Sequence, residues 1–282
     1  MTELHWRLGC FLGTLLVMTL AEWGFPRRER VAPRSLRWTS HAVMTLLNTL
    51  AGRFLVPLSA VQAADWAGRS GWGLLRFVQW PVWGEFTVSV VLLDLAIYAQ
   101  HVIFHHVPWL WKLHKVHHAD VDLDASSGIR FHTLEIVVSA FLKLGLVVLI
   151  GPTALAVMVF EIVLNAGSIW SHANLRLPAL VDRWLRWIVV TPDMHRVHHS
   201  VELRETNSNY GFFLPWWDSL FGTYIDQPRR GHLEMTIGLE SPRSIRETST
   251  IPAMLAMPFR RDLRELNEPL NTADDHASGS LD

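Results

Sequence analysis

One cysteine, Cys10, stands in a chain of 282 residues. It can form no intrachain disulfide, and it excludes thiolate metal sites and iron–sulfur clusters, which need several cysteines. Any bound metal must therefore be held by nitrogen and oxygen. Charge is equally scarce, with 18% of residues charged and a formal net charge of −1, so nothing marks a nucleic-acid partner. There is no Gly-rich dinucleotide fingerprint. A cleavable leader is poorly supported, because Arg7 is nearly alone before the first apolar run and no A-x-A site follows it.

Half of the residues are hydrophobic and fourteen are tryptophan. Apolar runs of near-spanning length with few charges predict a membrane protein. The runs are Leu8 to Phe25, roughly His41 to Ala64 with a kink or end near Phe54 before Pro57, Gly84 to Val107, Leu134 to Ile150, and Pro152 to His172. This predicts an all-α fold of about four to five transmembrane spans with a cytoplasmic-side helical cap. "PRRERVAPRSLR" (Pro26 to Arg37) puts five arginines after the first run, so that end is expected in the cytoplasm with the N-terminus outside. Gly71 to Trp83 is tryptophan-rich and short, as an interfacial segment would be. The expected organisation is 1–83 as N-terminal spans and interfacial segment, 84–226 as the catalytic domain, and 227–282 as an extension disordered from about 266. Within that extension, Ile251 to Phe259 is a modest apolar patch expected on the protein or the membrane surface. No internal repeat is visible beyond two histidine motifs.

Of fifteen histidines, eleven fall between His101 and His199. His101 and His105 are four apart and share a helix face. His114, His117 and His118 read H-x-x-H-H, a spacing that brings three imidazoles together on a helix, and His195, His198 and His199 repeat it. His132 and His172 lie at the two ends of the last helical hairpin. Two spans separate the first histidine group from the second. An even number puts both groups on the same side of the bilayer. These ten histidines are too many for one ion and suit two, although imidazole alone does not select between zinc, copper, iron and nickel. A lone H-x-x-x-H is more often an interfacial packing pair. Two convergent triplets at membrane depth need a physical reason, and metal ligation supplies one. His106 points off the shared face and is read as packing or surface. His5, His41, His232 and His276 are isolated and are read the same way.

Several polar neighbours could orient ligands. Asp94 and Tyr98 precede His101 on nearly the same face, and Asp94 is expected to hydrogen-bond an imidazole N–H. Glu135, Glu161, Asn165 and Asp193 are weaker candidates, and Glu135 reads more simply as a charge at a helix N-terminus.

The segments "DLAIYAQHVIFHHVPWLWKLHKVHH", "RFHTLE", "SHANL" and "TPDMHRVHHSVELRETNSNYGFFLPWWDSLFGTY" together resemble the fatty acid hydroxylase/sterol desaturase superfamily of integral-membrane, non-haem di-iron enzymes. The similarity covers about Asp94 to Tyr224. It implies metal binding by His101, His105, His114, His117, His118, His195, His198 and His199, with His132 and His172 less uniformly assigned. It also implies a site-lining role for Asn207, Asn209 and Tyr210. His101 is followed by Val102 where the sterol branch commonly has arginine, which argues against a sterol-specific assignment. The implied activity is hydroxylation or desaturation of a lipid C–H bond (sterol, fatty acyl, carotenoid or ether lipid) using iron, O2 and a separate electron-transfer protein. Two alternatives are a membrane hydrolase with two zinc ions, which usually wants a carboxylate close to the ligands, and a metal-handling or transport protein, which usually shows repeats or broken helices.

Overall fold

The computed structural model describes residues 2–260. Among them the secondary structure is helical, with two isolated β-bridges, Pro26 to Leu175 and Ser200 to Ile237. The long helices are α1 (Glu3–Gly24), α2 (Arg34–Leu55), α4 (Val82–His106), α6 (Thr133–Ile150) and α7 (Ala154–His172). Shorter ones connect and cap them: α3 (Ala60–Arg69), α5 (Pro108–His118), α8 (Ala179–Leu185), α9 (Pro192–His198), α10 (Leu203–Thr206), α11 (Trp216–Phe221), α12 (Gly231–Glu234), α13 (Ile245–Ser249) and α14 (Ile251–Ala256).

Five stretches are long and apolar enough to cross a membrane: α1, the run from α2 to Phe77, α4, α6 and α7. Their boundaries follow local chemistry. Gly151 ends α6 in the left-handed conformation, and Thr153 caps α7 by accepting the Ala156 N–H. α2 stops at Leu55, two residues before Pro57. The second apolar run is thus two helices, α2 and α3.

α1 packs on α7, α2 on α6, and α4 on both α6 and α7. At one end of this bundle, Gly73 and Gly151 meet backbone to backbone; a Cβ on Gly73 would sit 2.2 Å from the Gly151 Cα. The opposite end gathers the histidine-bearing termini of α4, α6 and α7. There the loop from Ala119 to Phe131 is locked into place. The buried Arg37 of α2 donates to both oxygens of Asp120 (2.7 Å each) and to Asp124 (2.6 Å). The buried Glu22 of α1 accepts the backbone N–H groups of Ala125 and Asn174. Gly128 presses on α7, where a Cβ would lie 2.5 Å from the Ser168 carbonyl oxygen.

The helices before residue 83 thus pack directly on later ones, α1 on α7, α2 on α6, and α3 on both. The patch Ile251–Phe259 packs on the protein, burying Met254 and Met257 with Met44 of α2 and Val116 of α5. The segment expected to be disordered from about 266, and His276, lie outside the described residues.

Candidate metal centre

Nine imidazoles meet at the histidine-bearing end. Ligand nitrogens of His101, His105, His114, His118 and His198 lie within 4.8 Å of one another, as do those of His117, His172, His195 and His199. The two sets touch: His118 stacks on His199 at 4.4 Å between ring centroids, and His195 lies 5.1 Å from His198. All nine rings are buried.

Their backbone origins explain the convergence. His101 and His105 occupy the last turns of α4. Val107 is extended and Pro108 starts α5 at once, so α5 folds back with His114 and His118 facing α4. One helix turn places His117 toward the second set. α9 begins at Thr191, whose hydroxyl accepts the Met194 N–H, with Pro192 at its first position. It carries His195 and His198 on adjacent turns, and His199 follows as its C-cap.

The hydrogen bonds fix the tautomers. The Nδ1–H of His101 donates to the Tyr210 carbonyl (2.7 Å), that of His198 to the Ser208 carbonyl (2.7 Å), and that of His114 to Glu135 Oε1 (2.6 Å). In the second set, Nδ1–H of His117 donates to the Arg130 carbonyl (3.1 Å) and that of His172 to the Ser168 carbonyl (2.7 Å). An oxygen acceptor demands the proton on Nδ1, which leaves Nε2 a bare lone pair in a neutral ring. Those lone pairs face each other. Nε2 of His101 is 3.1 Å from that of His114 and 3.1 Å from that of His198, and Nε2 of His172 is 3.0 Å from that of His117. Acceptors opposed at that distance repel unless a cation lies between them.

Burial holds the site in this form. Desolvation, then the neighbouring rings, keeps His117, His118, His195 and His199 well below the usual imidazole range. His198 is pushed down to about 3 by burial, against the opposing pull of its Ser208 hydrogen bond. Neutral imidazole is the metal-binding form. Several nitrogens also have no protein partner although buried: His105 Nε2, both nitrogens of His118, His195 Nδ1 and His199 Nδ1. Each orphaned group costs about 1–3 kcal/mol, and a metal ion would relieve several at once. The donor set fits two ions bound through nitrogen, five donors on one side and four on the other.

The remaining candidates fall elsewhere. His132 stands apart from both sets. It is the N-cap of α6, its Nδ1 accepting the Leu134 N–H, with Nε2 near the Leu255 carbonyl. Its position at the start of the hairpin puts it at the right height, but its ring serves the helix end. Asp94 does not reach an imidazole. It accepts the indole N–H of Trp217 (2.7 Å) and the Leu214 N–H (3.4 Å), because the chain after α9 folds back against α4. Tyr98 bonds the Thr223 hydroxyl.

Asn209, in a left-handed conformation (φ 49°), ties the site loop together by donating to the Met194 and Ile225 carbonyls. Asn207 Oδ1 lies 3.3 Å from His105 Nδ1. Glu135 is more than a helix-end charge, since it orients His114. Asp193 pairs with Arg27 and Arg196, and Glu161 with Arg7 and Lys143. Asn165 donates to the Glu161 carbonyl. His106 is exposed and bonds Val102 one turn back. Sequence reasoning had no signal for the carbonyls of Ser168, Arg130, Ser208 and Tyr210, since any residue can supply one. Nor did it find Asp218, which fixes the Tyr210 loop by accepting the Tyr210 and Gly211 N–H groups.

A cavity of about 340 Å³ leads to the cage from between the spans. His101 and His114 close one end, and Phe11, Asn48, Gln100 and Leu164 are among its walls.

The fatty acid hydroxylase family pattern matches residues 86–223, a stretch that contains all nine clustered histidines. Residues 86–223 belong to the fatty acid hydroxylase family. The chain is 30% identical over 190 residues to ornithine lipid hydroxylase OlsE of Rhizobium tropici, covering 66% of this chain and 54% of that protein. Alkylglycerol monooxygenase of Xenopus tropicalis is 28% identical over 164 residues (56% of this chain, 35% of that protein). Cholesterol 25-hydroxylase of Rattus norvegicus is 27% identical over 152 residues (52% and 48%). The chain thus spans about a third to a half of the length of these curated relatives. No solved structure matches it.

Proposed function

We propose that the protein is an O2-dependent lipid hydroxylase with two iron ions in its histidine cage. The observation that carries this reading is the set of inward-facing Nε2 lone pairs on rings whose Nδ1 protons are already committed, placed at the end of an intramembrane cavity. Iron held there would supply dioxygen activation and removal of hydrogen from an unactivated C–H bond. The named relatives act on ornithine lipid, alkylglycerol and cholesterol, which supports a lipid substrate and hydroxylation over desaturation. No carboxylate belongs to either ligand set, which disfavours a zinc hydrolase that would use one as base or bridge.

The protein's own part is geometric. Glu135 and the carbonyls of Tyr210, Ser208, Arg130 and Ser168 hold the rings in one tautomer and orientation. The spans exclude water and guide one carbon of a lipid to His101 and His114. Converting a C–H bond and O2 to an alcohol and water consumes two electrons and two protons, so a separate electron-transfer protein completes the system. Arg27, Arg28, Arg30 and Arg34 lie beside the cage end of the bundle, which supports a cytoplasmic placement of the histidines.

Membranes containing the protein, an electron donor system and 18O2 test the reading. One labelled oxygen appears in a lipid alcohol, and His198→Ala abolishes it. Lipid products without label, or turnover without O2, would rule the reading out.

A further inference from the structure

A second concavity, of about 740 Å³, lies outside the cage between α8, α9 and the chain from Tyr224 to His232. Arg27, Arg176, Arg183, Arg186, Asp193 and His232 are among its walls, and Met194 backs it.

Its depth follows from contacts. Asp94, which receives the Trp217 indole N–H, lies seven residues before His101, about 10 Å back along α4. Phe221 stacks on Tyr98 at 5.5 Å. α11 therefore lies against a membrane-spanning stretch of α4. The Trp216 indole donates to the Trp187 carbonyl (2.8 Å), tying α8 and the turn after it to the same level. Leu180, Trp184, Trp187, Ile188, Leu220 and Phe221 are all exposed there. This is the composition of an interfacial belt, and lipid headgroups lie just to its polar side.

The groove opens on that side with polar capacity to spare. Arg186 is taken up by Asp182, Asp226 and Tyr224, and Asp193 by Arg27 and Arg196. Arg176 and Arg183 have no carboxylate partner among the described residues. Buried Arg186 Nη2, Asp182 Oδ1 and both ring nitrogens of His232 have no hydrogen-bond partner, although His232 is only 4% exposed; its Nε2 faces Asp193 Oδ2 at 3.6 Å, beyond hydrogen-bond reach. Four arginines against three aspartates leave one surplus positive charge. The unpartnered atoms ask for a ligand that both accepts and donates.

We propose that this groove binds the headgroup of an anionic glycerophospholipid, its phosphate on Arg176 and Arg183 and a headgroup hydroxyl toward Asp182 and His232. The site requires that the helices cross a bilayer. It does not depend on the oxidation chemistry, so failure of either reading leaves the other standing.

Full-length protein in neutral detergent, titrated with dioctanoyl phosphatidylglycerol and followed by native mass spectrometry and thermal unfolding, tests it. The lipid binds and raises the unfolding temperature, while dioctanoyl phosphatidylcholine is at least tenfold weaker. Removing both charges (Arg176→Gln with Arg183→Gln) weakens phosphatidylglycerol binding roughly 25-fold, at about fivefold per arginine. Arg246→Gln, an exposed arginine outside the groove, changes nothing. Both groove arginines are unpaired, so the double variant keeps the wild-type unfolding temperature without lipid. Equal binding of phosphatidylcholine, an equal effect of inorganic phosphate alone, an unaffected double variant, or an equal loss in Arg246→Gln would each overturn the proposal.

Discussion

Replacing Glu135 with leucine removes the acceptor of the His114 Nδ1 proton, a contact of 2.6 Å in which Glu135 is 4% exposed. The orphaned N–H of a charge-assisted bond costs about 1.5–3 kcal/mol, and the imidazole becomes free to rotate or to change tautomer. Loss of such a partner behind a ligating histidine lowers metal affinity about 10–100-fold. The assay is iron retained by purified protein after equilibrium dialysis against graded chelator, alongside Glu135→Gln. Glutamine keeps an oxygen acceptor without the charge and should stay within a few-fold of wild type. If the leucine variant holds iron as tightly as wild type, the inference that Glu135 orients His114 is wrong.

His132→Ala and His106→Ala are expected to keep the full metal content, measured by elemental analysis, whereas His117→Ala loses metal. Arg37→Leu strands the buried Asp120 and Asp124 without their cation and is expected to cost about 3–5 kcal/mol, read as a large fall in unfolding temperature. Gly151→Ala forces a Cβ to 2.7 Å from the Gly73 Cα at φ 74°, a strain of about 1–3 kcal/mol. Gly145→Ala on the same helix meets open space and should not destabilise. His232 is pushed down to about 4 by burial, a shift that the attraction of Asp193 opposes and the charges of Arg196, Arg27 and Arg186 reinforce. Its unfolded form takes up a proton near pH 6.5 while the folded form does not. Stability therefore falls as pH drops from about 6.5 toward 4, and His232→Gln shows a smaller loss over that window by thermal unfolding.

The spans were legible because hydropathy over some twenty residues is a local property, and Pro57 and Gly151 mark real ends. The convergence of the rings was legible because helical spacing sets which imidazoles share a face, and an even count of spans lets the two groups meet. His132 misled because membrane height is readable from sequence but ring direction is not. Asp94 misled for a related reason: its true partners, Trp217 and Leu214, come from a segment more than a hundred residues later that folds back on α4. Glu135 was undervalued because a carboxylate in the first turn of a helix has a sufficient local explanation. Only the packing of α5 against α6 brings His114 to it.

The most direct measurement is the metal content of full-length protein purified under reducing conditions without chelators. Two iron ions per chain are expected, falling together in His117→Ala and His198→Ala while His132→Ala keeps both. A wild-type chain that binds no iron when supplied with it, or that loses none when either cage histidine is removed, would contradict the account.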